Sequence, residues 1–126
     1  MKNVLISVAI FTVMIIAMIF SISYLNTQCG RLENMADKIE SYVKEDSWEK
    51  TYKTSLEFME DWEKTSHIFS LFSNHQELDN INNELYKITQ YSKGKNKDET
   101  LASIHVIKFY LKHITRMEKV NFENIL

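Results

Sequence analysis

Nineteen consecutive residues, Val4 to Ile22, carry no charge, and Ser7, Thr12 and Ser21 are their only polar side chains. No other feature restricts the fold as strongly, because so long an apolar run must be covered on every side. As a helix rising 1.5 Å per residue it spans about 28 Å, close to the hydrocarbon thickness of a bilayer. Residues 1–25 therefore read as a transmembrane anchor with its flanks. Residues 26–126 remain as one small domain.

Two other readings compete for this segment. A cleaved signal has an apolar stretch of roughly 7–15 residues and a small-x-small cleavage site. Ser21-Ile22-Ser23 spells such a site, but the run is too long and holds no helix breaker. A lipoprotein needs small residues before its cysteine. Here Asn26-Thr27-Gln28 precedes Cys29. An uncleaved, single-pass anchor in the cell membrane is the expectation. Lys2 lies immediately beside the span, whereas Arg31 and Lys38 are further off and mixed with Glu33 and Asp37. Basic residues stay on the cytoplasmic side. The N-terminus is thus expected inside and the domain outside, with Tyr24 at the outer interface.

The domain itself reads as all-α. The chain has no proline and two glycines, too few turn residues for sheets and hairpins. With 15 bases against 17 acids it shows no basic surplus of the kind that binds nucleic acid. A single cysteine excludes an internal disulfide framework.

Periodicity divides the chain into four helices. Leu25, Cys29, Leu32, Met35/Ala36, Ile39 and Tyr42/Val43 recur at three- and four-residue steps, so the span continues into water as an amphipathic helix ending near Lys44. Asp46-x-x-Glu49 spells a capping box for helix 2, whose inner stripe is Trp48, Tyr52, Ser55, Met59 and Trp62. Thr65-Ser66 interrupts that pattern. Helix 3 is expected from Ser66 to Ser92, with a seam of Ile68, Leu71, His75, Leu78, Ile81, Leu85, Ile88 and Tyr91, and with Gly94 closing it. Asn96-x-x-Glu99 opens helix 4, expected to end near Lys119 before an apolar tail. Apolar residues cover over half of that helix's circumference, which predicts burial on more than one side and a central position. Short loops make the helices an antiparallel bundle. The segment 68–72 and the tail 122–126 then fall near the bilayer.

Candidate sites follow from the same pattern. Trp48 and Trp62 open a repeated Trp-Glu-Lys-Thr, two heptads apart on one stripe. Core packing is the plain reading, and an aromatic docking ridge is the functional one. Phe69, Phe72 and Phe122 join them as candidates for partner binding. His75 with Asp79 four residues on, and His113 in the apolar arc of helix 4, are the candidates for a metal. No paired spacing of zinc ligands accompanies them. Glu57, Glu60, Asp61 and Glu63 read as a solvated face. Two isolated glycines make no phosphate-binding loop, so no cofactor and no catalysis are expected. Asp46-Ser47-Trp48-Glu49-Lys50-Thr51 resembles the turn of a tetratricopeptide hairpin. However, Thr51 stands where alanine packs, and no 34-residue repeat follows.

A broader resemblance covers nearly the whole chain. The charge-free anchor, Asp61-Trp62-Glu63-Lys64, the stretch His75-Gln76-Glu77-Leu78-Asp79-Asn80-Ile81, and Leu101-Ala102-Ser103-Ile104 through His113-Ile114 carry it. On these the chain resembles the domain of unknown function 4363 family, small single-span helical proteins of clostridia and bacilli. The resemblance implies a membrane-anchored helical protein, often encoded near another small membrane protein, and no catalytic residues. The expected function is an extracytoplasmic interaction module that docks a membrane or envelope protein. The alternative is a ligand- or metal-sensing helical domain.

Overall fold

The computed structural model describes residues 1–71 and 73–125, with side chains described as far as Arg116. Four helices follow one another: α1 (Lys2–Lys44), α2 (Trp48–Phe69), α3 (His75–Lys93) and α4 (Lys97–Ile125). Among the described residues there is no strand. The expected all-α bundle continuing from an apolar N-terminal helix is the observed fold.

α1 is one unbroken helix of 43 residues. Its first half is a candidate membrane span: the apolar window is wholly unburied by the rest of the chain. Each hydroxyl in that half bonds back onto its own helix. Ser7 donates to the Asn3 carbonyl at 2.8 Å, Thr12 to Val8 at 2.8 Å and Ser21 to Ala17 at 2.9 Å. None of the three therefore presents an unpaired donor on this apolar surface.

From Leu25 onward α1 buries a strict heptad stripe: Leu25, Cys29, Leu32, Ala36, Ile39 and Val43. α2 answers with Thr51, Ser55, Phe58, Trp62, Thr65 and Phe69. α3 contributes Leu78, Ile81, Leu85, Ile88 and Ser92, and α4 contributes Thr100, Ile104, Ile107, Leu111 and Ile114. All four stripes step by three and four, the spacing of helices packed knobs-into-holes at shallow angles. α1 and α3 each pack on α2 and α4, and among the described residues neither diagonal pair touches. The helices thus stand at the corners of a square.

Cross-helix contacts fix the register. Arg31 meets Asp61 at 2.8 Å, Lys50 stacks over the Tyr42 ring, and the Asn80 amide donates to the Tyr110 hydroxyl at 3.0 Å. In that register the buried residues fall into layers in which large faces small. Ala36 shares a layer with Phe58, Leu85 and Ile107. Leu32 shares the next with Trp62, Ile81 and Leu111. The layer furthest from the span is the least apolar, with Val43, Thr51, Ser92 and Thr100. At the other end Phe69 is level with Leu25, so the α2–α3 turn lies beside the end of the apolar segment.

Both distal turns are built alike. Ser47 N–H reaches back to the Tyr42 carbonyl at 2.8 Å, and Asn96 N–H to Tyr91 at 2.9 Å. Each helix thus ends in a six-to-one turn whose left-handed residue is Asp46 (φ 59°) or Lys95 (φ 54°). This corrects two expectations. Asp46 terminates α1 and does not cap α2, whose N-cap is Ser47. Gly94 is right-handed at φ −80°, and the left-handed position falls one residue later. Asn96 does cap α4, accepting from Glu99 N–H at 3.3 Å.

The α2–α3 boundary also moves. α2 runs through Thr65 and Ser66 because both hydroxyls bond back to their own helix, at Asp61 (3.0 Å) and Glu63 (3.2 Å). The break comes at Asn74, whose side chain accepts from Gln76 N–H at 2.9 Å. Ile68 therefore belongs to α2, Leu71 is an exposed turn residue, and His75 is the exposed first residue of α3. Nor is α4 central: it buries one stripe like its neighbours, and its helix continues through the expected tail to Ile125.

Candidate functional site

The aromatic docking candidates separate into three groups. Trp62 and Phe69 are core residues at 1% and 0% exposure, their ring centroids 5.5 Å apart, so neither forms a surface ridge. Among the described residues the Trp62 indole N–H has no hydrogen-bond partner. Trp48 does share the Trp62 stripe. It lies beyond the Val43 layer, where the open end of the bundle covers only part of it. Phe72 and the Phe122 side chain lie outside the described residues.

The metal candidates do not converge. His75 and Asp79 are both exposed on α3. His113 Nδ1 pairs instead with Glu77 Oε1 at 2.8 Å. Among the described residues no group of three His, Cys, Asp or Glu side chains is placed to hold an ion.

The feature that sequence reading placed wrongly is the outer face of α4. Two seams clamp this helix. On its α1 side Lys108 bridges Asp37 and Glu40, and His105 Nε2 meets Glu40 Oε1 at 2.9 Å. The Lys108 hydrogen bond, then that of His105, holds the Glu40 carboxyl at a pKa of about 2, against a burial cost that acts the other way. Burial also works against the Lys108 ammonium, but Asp37 and Glu40 overcome it and its pKa is raised. On its α3 side Tyr110 bonds Asn80 and His113 bonds Glu77.

Between the two seams the helix faces away from the bundle. Phe109 sits at the middle of that face, 64% exposed, with Val106 beside it at 37%. The Phe109 ring lies parallel to His113 at 6.4 Å and edge-on to Tyr110 at 5.8 Å. Across the α3–α4 groove Tyr86 is 62% exposed. Lys112 and Arg116 flank the strip, exposed and without an ion pair among the described residues. The wide apolar arc of helix 4 was the sequence feature that marked this face. It predicted a second buried side, and within one chain that side stays uncovered.

Two grooves lie elsewhere on the bundle. One of about 770 Å³ between α1 and α2 lies near the span and is lined by Asn26, Gly30, Asn34, Lys38, Glu57 and Glu60. A Cβ added at Gly30 would meet nothing within 4 Å. The other, about 450 Å³ between α2 and α3, is lined by Met59, Glu63, Ser66, His67 and Asn82. Both are open, and both mix polar and apolar walls: Met35 lies in the first, and Met59, Trp62 and Leu85 lie in the second. Neither presents a large apolar side chain to solvent as the α4 face does with Phe109 at 64% exposure.

No curated protein and no solved structure matches the chain. One family model does, over residues 19–125, a stretch that starts within the apolar helix and takes in the whole bundle. The chain belongs to the family described as Domain of unknown function (DUF4363).

Proposed function

We propose that this protein is a single-pass, membrane-anchored helical module that docks a membrane or envelope protein through the outer face of α4, without catalysis. The observation that carries the reading is the uncovered strip of Val106, Phe109 and Tyr86, flanked by Lys112 and Arg116. An exposed aromatic with unpaired cations around it matches the composition of interface hot spots, where aromatics and arginine are enriched. The helix carrying it is held rigidly on both flanks, so little ordering cost falls on binding. The domain stands outside the cytoplasmic membrane, a placement supported by Lys2 next to the span and by the mixed charges after it.

The test is site-specific photo-crosslinking in cells. A benzophenone amino acid at Phe109 is expected to trap a discrete membrane or envelope protein, while the same group at the exposed Ser41 of α1 traps none. Equal or absent adducts at the two positions would sink the reading.

A further inference from the structure

We propose that the partner on the α4 face is a second copy of this chain, docked by its α2, so that copies in one membrane associate head to tail. The inference rests on the docking reading above and names its occupant.

Three observations carry it. The first is charge. Between Glu99 and Glu118 the sequence of α4 holds no carboxylate, and Lys112 and Arg116 are exposed without ion pairs among the described residues. On α2, between Lys53 and Lys64, there is no base. Glu57 and Glu63 are exposed there without ion pairs among the described residues. α2 and α4 occupy opposite corners of the square, so the two faces point in opposite directions and neither can satisfy the other within one chain.

The second is shape. The acidic face carries its own exposed apolar residue, Leu56 at 45%. It is the natural counterpart of Val106 and Phe109.

The third is height. α2 and α4 run in the same direction, and a shared bilayer sets every copy at one level. In the layer register Leu56 stands level with His105 and Val106, and Glu63 stands level with Lys112 and His113. Copies placed side by side therefore meet apolar on apolar and acid on base, with no vertical shift.

A two-fold arrangement does the opposite. An axis along the membrane normal would set Lys112 and Arg116 against their own copies, or Glu57 and Glu63 against theirs. Like charges facing each other are unfavourable. Head-to-tail contacts are heterologous, and they close into rings or continue as rows. Confinement to one membrane raises the effective concentration of the two faces, so a modest contact suffices.

The experiment uses the full chain in membranes. Two differently tagged copies, one Leu56→Cys and one Val106→Cys, are co-expressed and mildly oxidised; the native Cys29 is 2% exposed and stays out of reach. The expected product is a mixed-tag disulfide dimer, at least several-fold above the self-linked product of either variant alone. Charge reversal by Lys112→Glu or Glu63→Lys is expected to reduce that yield several-fold. The two reversals together in every chain are expected to restore it. A Val106→Cys copy that links to itself as readily as to Leu56→Cys overturns the proposal. So does the absence of any 56–106 link. If the link fails while the Phe109 crosslinker traps a different protein, the docking reading survives and self-association does not. If Phe109 traps nothing, both fall.

Discussion

Glu40 sits where two ammonium groups and an imidazole meet: Lys108, Lys44 and His105 all reach its carboxylate. In the unfolded chain the group titrates near its ordinary 4.5; in the bundle it is held at about 2. Because the folded value is the lower one, the stabilisation is fully present above pH ~5. It drains away as the pH falls through 4.5 toward 2, when the unfolded chain takes up the proton first. Partial solvent exposure screens the effect, so about 1–2 kcal/mol is expected from it. Thermal unfolding of the detergent-solubilised full chain should show the midpoint falling between pH 5 and 2. Glu40→Gln should lower the midpoint at pH 7 and flatten that fall. An unchanged slope in the variant would show that the α1–α4 seam does not depend on this carboxylate. Glu40 was invisible to sequence reading because its partners lie on α4, 65 and 68 residues away. Only the register of the folded bundle brings them together.

At the scale of the helix, apolar spacing located α1, the α3 seam from Leu78 to Ile88, and the body of α4. It failed where polar residues occupy the core. The α2 stripe runs through Thr51 and Ser55, whose hydroxyls are satisfied on their own helix at 2.9 and 2.7 Å. A stripe drawn between the two tryptophans through Tyr52, Ser55 and Met59 found Ser55 and Trp62, but it took in Tyr52 and Met59, which flank the buried line, and passed over Thr51 and Phe58. Helix ends were misjudged for a related reason: a hydroxyl inside a helix and a hydroxyl at its cap are spelled the same way. The left-handed residue at the α3–α4 turn gives a direct check. Lys95 adopts φ 54° with a side chain that gains nothing from it. Lys95→Gly should raise stability by about 1 kcal/mol in a melt of the full chain. No gain, or a loss, would place the left-handed residue elsewhere in the turn. Asp46 is the poorer choice for the same experiment, because its carboxylate meets Lys97 at 3.4 Å.

For the molecule as a whole, the sequence anticipated a long apolar N-terminal helix continuous with a four-helix bundle, and that much was legible from one uncharged run and four periodic segments. The uncovered face of α4 was not, because periodicity reports how wide an apolar arc is and not how much of it one chain can cover. α4 carries two arcs, one facing Ile107 inward and one presenting Phe109 outward. Orientation in the membrane is testable at this scale. Cys29 is buried and cannot serve as the reporter. Gln90→Cys, exposed near the distal end of α3, should react with an impermeant maleimide on intact cells if the domain stands outside. Reaction only after lysis would reverse the assignment.

α1 crosses from the apolar segment into the bundle without a break, and Gly30 does not interrupt it. The bundle accordingly has no swivel. The stretch from Ile22 to Lys44 is a stiff mast about 33 Å tall. If the apolar segment spans a bilayer as proposed, tilting it by about 20°, an ordinary angle for a membrane helix, carries the mast's tip sideways by roughly 11 Å. Changes in bilayer thickness that alter the tilt would be felt at the tip as a change in reach.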